Sequence, residues 1–281
     1  MPKYQITYNT LNTYETEVSE ATFALMVMPQ DNELQKLWKT SFTNSLGELF
    51  YSSINPFGFT QTLLHTRNHF TRLEINLEAS LNVAEQNPFD FTPITLDESM
   101  EKYNSVDFFV DHHHFLLQTK FTNPGDEELD DACKATNSPS VFEFLMQLNS
   151  YIHDNYEFDT VETDVHTTAL EIIRNKRGVC QDFAHFFIGV CRANKIPARY
   201  VSGYINQGQR YAGDAAMHAW VEVFLPEKGW IGFDPTNNIL IDHNFIKVCH
   251  GADYSDCSPI KGVLKTTGAN KTGYTVTVQQ Q

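Results

Sequence analysis

The stretch NKRGVCQDFAHFF, Asn175 to Phe187, sets a cysteine two residues after a glycine and at the head of an apolar run. Phe183, Phe186, Phe187, Val190 and Cys191 recur at i, i+3, i+4, i+7 and i+8, which predicts an α-helix with one inward-facing stripe. Cys180 heads that stripe, three residues before Phe183, so its thiol is expected to point inward at the base of whatever cleft lies over the helix start. A packing cysteine could occupy any position of such a helix. A nucleophile gains from the first turn, where unpaired N–H groups and the positive end of the helix dipole favour thiolate over thiol. Asn194 and Pro197 close the helix, and ARYVSGYI (Ala198 to Ile205) reads as the next strand.

A nucleophile needs a base and a group to orient it. In HAWVEVFLPEKGWIGFDPT, His218, Trp220, Glu222 and Phe224 alternate with Ala219, Val221, Val223 and Leu225, a strand pattern, and GWIGFD is a second strand stopped by Pro235. A hairpin with Leu225, Pro226 and Glu227 at its tip sets Phe224 opposite Lys228, Trp220 opposite Gly232 and His218 opposite Asp234. Directly opposed side chains share a face with Cβ atoms roughly 5 Å apart. An imidazole beside a carboxylate is what a catalytic base requires, because the acid fixes the tautomer and stabilises the imidazolium.

The totals narrow the class. The chain has 281 residues, of which 41% are hydrophobic, sufficient for about two packed domains. Its 20 basic and 35 acidic residues leave −15, which repels phosphate backbones and anionic lipid, so nucleic-acid and membrane binding are disfavoured. No run approaches the roughly 20 apolar residues of a membrane span, and MPKYQITYNTLN lacks the pattern of a secretory signal. Five scattered cysteines (Cys133, Cys180, Cys191, Cys249, Cys257) with no signal point to reduced thiols in a cytoplasmic setting.

The first ninety or so residues read as β structure. In RLEINLEASLNV, Leu73, Ile75, Leu77, Ala79, Leu81 and Val83 alternate with polar residues, the mark of a long half-buried strand. YQITYN and TFALMVMP read as further strands. NPFDFTPITLDE, from Pro88 onward, reads as a linker, NPGDEELDDACKATNSPS as an acidic surface loop, and Ser140 with Glu143 as a capping box opening a helix over VFEFLMQLNSYIH. There is no internal repeat. The division expected is a β-sandwich-like unit over 1–95 and a catalytic unit over 96–281.

GVCQDFAHFF, DAAMHAWVEVFLPEKGWIGFDPTNN and GADYSDCSPIKGV together resemble the bacterial transglutaminase-like family of the papain-type cysteine superfamily, and the N-terminal β segment resembles the small β-domain preceding the core in those proteins. The resemblance implies an α+β fold with Cys180 as nucleophile, His218 as general base and acid, and Asp234 as orienting carboxylate. In that family the last block usually carries Arg where this chain has Ala252. The absence of paired C-x-x-C spacing around Cys249, His250 and Cys257 sets the chain apart from the zinc-bearing deglycosylases of the superfamily. An upstream Trp serves as oxyanion donor in animal transglutaminases, but Trp38, alone before Cys180, falls in the N-terminal unit.

The function expected is acyl transfer at an amide, of a peptide bond or a glutamine-like carboxamide, through a thioester with water favoured as acceptor. A protein-glutamine transglutaminase using an amine acceptor and a non-catalytic peptide-binding module are the alternatives. Gln181 is either an oxyanion donor or a first-turn residue, and Trp220 both packs and shields the site. Cys191 and His185 read as structural. His112, His113 and His114, read as strand residues, would point to opposite faces and hold no metal. A peptide or protein substrate is expected, with no cofactor.

Overall fold

The alternation of the first eighty residues becomes two antiparallel sheets. Their strands are β1 (Lys3–Val18), β2 (Glu20–Leu25), β3 (Gln35–Asn44), β4 (Phe50–Ile54), β5 (Thr60–Thr66) and β6 (Phe70–Val83). The computed structural model describes residues 1–125, 129–159, 166–206, 208, 211–213 and 216–281. Asp126, Glu127 and Glu128 of the expected acidic loop, and Asp214 and Ala215 of the second motif block, lie outside the described residues. In β6, Leu73, Ile75, Leu77, Ala79 and Leu81 are buried as their period of two requires, and they pair across to Tyr4, Ile6, Tyr8, Thr10 and Asn12 of β1. Ring contact between Phe42 of β3 and Phe50 of β4, centroids 4.4 Å apart, joins the sheets.

Helices follow: α1 (Leu96–Tyr103), α2 (Val106–His112) and α3 (Val141–Asn155). Ser140 caps α3, its hydroxyl accepting from the Glu143 N–H at 3.2 Å, which is the Ser140 half of the expected capping box. The histidine triplet is helical rather than extended: His112 ends α2, and His113 and His114 continue in a 3-10 turn. His112 stacks on Phe108 four residues back, centroids 4.1 Å apart, a pairing that helical spacing makes and a strand would not.

The core begins with β7 (Glu157–Phe158), α4 (Ala169–Asn175) and β8 (Arg177–Gly178), then α5 (Cys180–Ala193), β9 (Ala198–Ile205), β10 (His218–Leu225), β11 (Gly229–Asp234), β12 (Ile239–Leu240) and β13 (Phe245–Gly251). Five of these strands form one antiparallel sheet in the order β12-β11-β10-β9-β13, and α5 packs across β9 and β10. The single stripe expected of α5 is too modest. Every residue from Asp182 to Arg192 is buried, so the helix is enclosed all round and its polar members must find partners inside. His185 Nε2 accepts from the Tyr254 N–H at 3.1 Å, and burial lowers the pKa of its imidazole to about 4. At Gly189 a Cβ would lie 2.0 Å from the Thr122 carbonyl oxygen, so only glycine lets the chain at 122 cross the helix this closely.

The chain closes with α6 (Tyr254–Cys257), β14 (Ile260–Lys265) and β15 (Asn270–Gln280). The division at residue 95 leaves these two strands with the core, whereas they pair into the N-terminal sheets. β15 runs antiparallel to β1 from Tyr4↔Gln280 to Tyr14↔Asn270, and β14 pairs with β2. The sandwich is therefore completed from both ends of the chain, as β15-β1-β6-β3 and β14-β2-β5-β4. Nothing local marks NKTGYTVTVQQ as belonging to the first unit, because a strand's partner is set by what it can cover rather than by its own pattern. Among the described residues no helix is long and apolar enough to cross a membrane.

Two clamps bind the sandwich to the core. Gln35 donates to the carbonyls of Gln30 (2.9 Å) and Lys247 (2.8 Å) and accepts from the Lys247 N–H. Tyr204 donates its hydroxyl to the Val27 carbonyl at 2.6 Å. Nearby, Glu222 lies 2.6 Å from both Arg199 and Lys247. Burial would raise the Glu222 pKa, but the two cations outweigh it and hold it at about 2.

Arg192 is the polar hub of the core. It is 4% exposed, and its guanidinium donates to the carbonyls of Phe115, Leu117, Ala198 and Ala252 and to the Thr122 hydroxyl, at 2.7 to 3.3 Å. A lysine ammonium has three donors in place of five and no fork. Arg192→Lys should therefore lower the free energy of unfolding by about 2–4 kcal/mol, read as a lower urea midpoint at unchanged slope. A loss below about 0.5 kcal/mol would show these bonds to be replaceable.

Candidate active site

Three elements bring the predicted residues together. Cys180 is the first residue of α5, whose start is held by Asp182: its Oδ2 accepts from the Val179 N–H at 2.9 Å. Gly178 makes room for that fold-back, since a Cβ there would meet the Asp182 Cβ at 2.8 Å. The thiol is partly exposed, whereas Cys133, Cys191, Cys249 and Cys257 are buried and free.

His218 opens β10 and Asp234 ends β11; both side chains are fully buried. The hairpin register is not the one expected. Glu222 pairs with Gly232, Phe224 with Trp230 and Leu225 with Gly229, so the strands are shifted by two residues and the tip is Pro226–Lys228. His218 then lies diagonal to Asp234 rather than opposite it. A shift of two preserves the face on which each side chain lies, and the imidazole spans the diagonal: Nε2 to Asp234 Oδ2 is 2.8 Å. The glycine that accommodates Trp220 is accordingly Gly203, where a Cβ would meet the indole at 2.5 Å, and not Gly232.

Asp234 collects further donors. Its Oδ1 accepts from the N–H groups of Thr236 (2.9 Å) and Asn237 (3.4 Å), and its Oδ2 from Asn237 Nδ2 at 2.7 Å. Asn237 reaches on to Ala212, accepting from its N–H at 2.8 Å, and so fixes the residue beside Gly213. Gly213 has φ +84°, and a Cβ on it would lie 2.8 Å from His218 Nδ1 and 4.0 Å from Cys180 Sγ. Nδ1 and the sulfur thus both border the one glycine, and Nδ1 has no hydrogen-bond partner among the described residues. Burial pushes the His218 pKa down, but the Asp234 carboxylate and Cys180 outweigh it and raise the pKa to about 10. Sequence reading missed Asn237 and Gly213. The signal for Asn237 was DPTNN itself, an acid followed by turn residues whose backbone N–H groups can fold back on it.

A cavity of about 780 Å³ contains Cys180 and His218 and is lined also by Gln181. Gln181 Nε2 is buried and has no hydrogen-bond partner among the described residues. Trp220 does not line this cavity; it lies with Val201, Ile205 and Phe245 in a separate cluster, its ring 6.5 Å from that of His218 at 27°. At Ala252, where the resembled family usually has Arg, the carbonyl receives Arg192 and the N–H donates to Asp256 at 2.8 Å. Trp38 is exposed on β3.

Comparison with known proteins matches residues 128–235 to the Transglutaminase-like superfamily. An uncharacterised protein of Mycobacterium tuberculosis is 36% identical over 172 residues, covering 55% of this chain and 54% of that protein. A protein-glutamine gamma-glutamyltransferase of Pseudomonas aeruginosa is 39% identical over 70 residues, covering 23% of this chain and 10% of that protein. The chain thus spans about half the length, or less, of these curated relatives. A crystal structure from Cytophaga hutchinsonii, whose cysteine-protease name is provisional, superposes with a TM-score of 0.81 at 21% identity, covering 99% of this chain and 90% of that one. The fold is thus matched over 99% of the chain, and the segment 128–235, which holds Cys180, His218 and Asp234, matches the Transglutaminase-like superfamily.

Proposed function

We propose that the protein is a cysteine-dependent acyl-transfer enzyme that attacks an amide and passes the acyl group to water, a peptidase or amidase. The observation that supports this most directly is the His218 imidazole held by Asp234 through Nε2 at 2.8 Å while its Nδ1 and the Cys180 sulfur both border Gly213. In this reading the Cys180 sulfur attacks the amide carbon and the carbonyl electrons move to oxygen. The oxyanion is met by the Cys180 N–H, a donor of the first helical turn, and by Gln181 Nε2, which has no other partner among the described residues. Nδ1–H of His218 then protonates the departing amine as the C–N bond breaks, leaving a thioester. His218 next takes a proton from water, which attacks the thioester and releases acid and thiol.

An amine could replace water in the last step, and the short match to a Pseudomonas glutamyltransferase favours keeping that second reading. The acceptor is decided by assaying ammonia or amine release from glutamine-containing and other peptides, with and without a primary amine. Diversion of most acyl groups to the amine would make the protein a transglutaminase. In the same assay Cys180→Ala should abolish turnover, because no other group forms the thioester. His218→Ala should cost about 10²–10⁴-fold or more, having lost both base and acid. Asp234→Asn should be the mildest, as it keeps a hydrogen bond and loses only the charge. Wild-type turnover in Cys180→Ala would sink the assignment.

The raised His218 pKa gives a second test. A group whose pKa is raised stays protonated to higher pH, so the acid that serves the leaving amine persists well above the ordinary histidine value of 6.5. The alkaline limb of kcat/KM should fall with a midpoint near pH 10 rather than near 6.5. Asp234→Asn removes a charge that favours the imidazolium, so its alkaline limb should move to lower pH. An alkaline limb centred near 6.5 in the wild type would mean that Asp234 and Cys180 do not hold His218 protonated.

A further inference from the structure

The cavity around Cys180 is not walled by the core alone. Tyr8 of β1, Ile260 of β14, and Thr272 and Tyr274 of β15 form part of its lining. β14 and β15 are each the end strand of their sheet. The lining residues of β15 also lie on the sandwich's inner face: Tyr274 pairs with Thr10 and Thr272 with Asn12, both buried on the same side of β1 as Tyr8. A sandwich ordinarily fills the space between its edge strands with its own side chains. Here that seam opens toward the thiol.

The chemistry of the seam is one-sided. Tyr8, Phe158, Tyr200, Met217, Tyr254 and Ile260 line the cavity, and among the described residues that line it there is no Asp, Glu, Lys or Arg. This holds in a chain with 20 basic and 35 acidic residues, so a charged substrate side chain entering the seam away from Cys180 and His218 would leave water with no Asp, Glu, Lys or Arg among the described lining residues to pair with it. An aromatic or large aliphatic side chain would exchange water for ring faces and methyl groups.

We propose that the seam between β14 and β15 is a specificity pocket for a large apolar, above all aromatic, side chain flanking the attacked carbonyl, with Tyr274 as the residue that sets the preference. This rests on the reading of Cys180 as the nucleophile and adds the substrate class to it. The sandwich is then part of the substrate site. Tyr274 is 54% exposed, so it can be changed without opening the core.

Binding can be measured without chemistry, in full-length Cys180→Ala. Capped tetrapeptides acetyl-Ala-Ala-X-Ala-amide, with X as Phe, Leu, Lys or Glu, are titrated by calorimetry. The Phe peptide should bind at least about 10-fold more tightly than the Lys or Glu peptide, with Leu between. Adding Tyr274→Ala should reduce that ratio to under about 3-fold, while Tyr274→Phe, which keeps the ring, should preserve it. Thermal melting of each variant checks that the fold is retained. Equal affinities, a preference for Lys or Glu, no binding of any peptide at millimolar concentration, or an unchanged ratio in the Tyr274→Ala variant would each overturn the proposal. Wild-type turnover measured alongside separates the two readings: selective binding without turnover keeps the pocket and sinks the enzyme, and turnover without selectivity does the reverse.

Discussion

The contact on which the site depends is the 2.8 Å bond between His218 Nε2 and Asp234 Oδ2, made by two fully buried side chains. Taking an ion pair out of water is costly unless the remaining lone pairs and protons are satisfied. Asp234 meets that condition through the N–H groups of Thr236 and Asn237 and the Asn237 amide, which leaves its carboxylate nowhere else to turn. His218 does not meet it, because Nδ1, which borders Gly213 as the Cys180 sulfur does, has no hydrogen-bond partner among the described residues. Satisfying one partner completely and leaving one atom of the other open is how a buried pair becomes a directed base. The same logic explains why α5 had to be enclosed on every side. A thiol at the head of a mobile helix could not hold its place against an imidazole fixed from behind.

How much of this was legible in the sequence depended on parity and on distance along the chain. His218 and Asp234 could be paired from their alternation even though the register was misjudged, because a slip of two residues leaves side chains on the face where they began. A slip of one would have separated them. The start of α5 was legible for a similar reason, its period being unmistakable over three turns. Gly213 and Asn237 were not, since a loop residue acts through the shape of its backbone and sequence pattern carries little of that. Thr168 and Glu171 form a capping box at α4 that the residue types do display, the Thr hydroxyl and the Glu carboxylate each taking the other's N–H. It stood apart from the motif blocks and went unread.

The C-terminal strands were the hardest to place. β15 is polar and mostly exposed, and its only buried side chains are Val276 and Val278. Such a strand has no strong preference of its own and is assigned by the edge that receives it, in this case β1, more than 250 residues away. Pairing of that range is among the slowest to form, because the loop must close before its contacts stabilise anything. The sandwich therefore cannot be completed by the first ninety residues alone, and its outer strands arrive only when the core has been made.

That order of completion bears on the cleft. If the sandwich were an independent unit tethered by a linker, its position over Cys180 would vary and a pocket between them would have no fixed shape. Instead the chain leaves the sandwich after β6, builds the core, and returns through α6 to β14 and β15, so the two parts are joined at both ends. Gln35 and Tyr204 clamp them between those joins, one through two hydrogen bonds to the Lys247 backbone and the other to Val27. A doubly tied, clamped unit loses little further freedom when a substrate enters, and that is the condition under which a wall of tyrosines can discriminate between side chains.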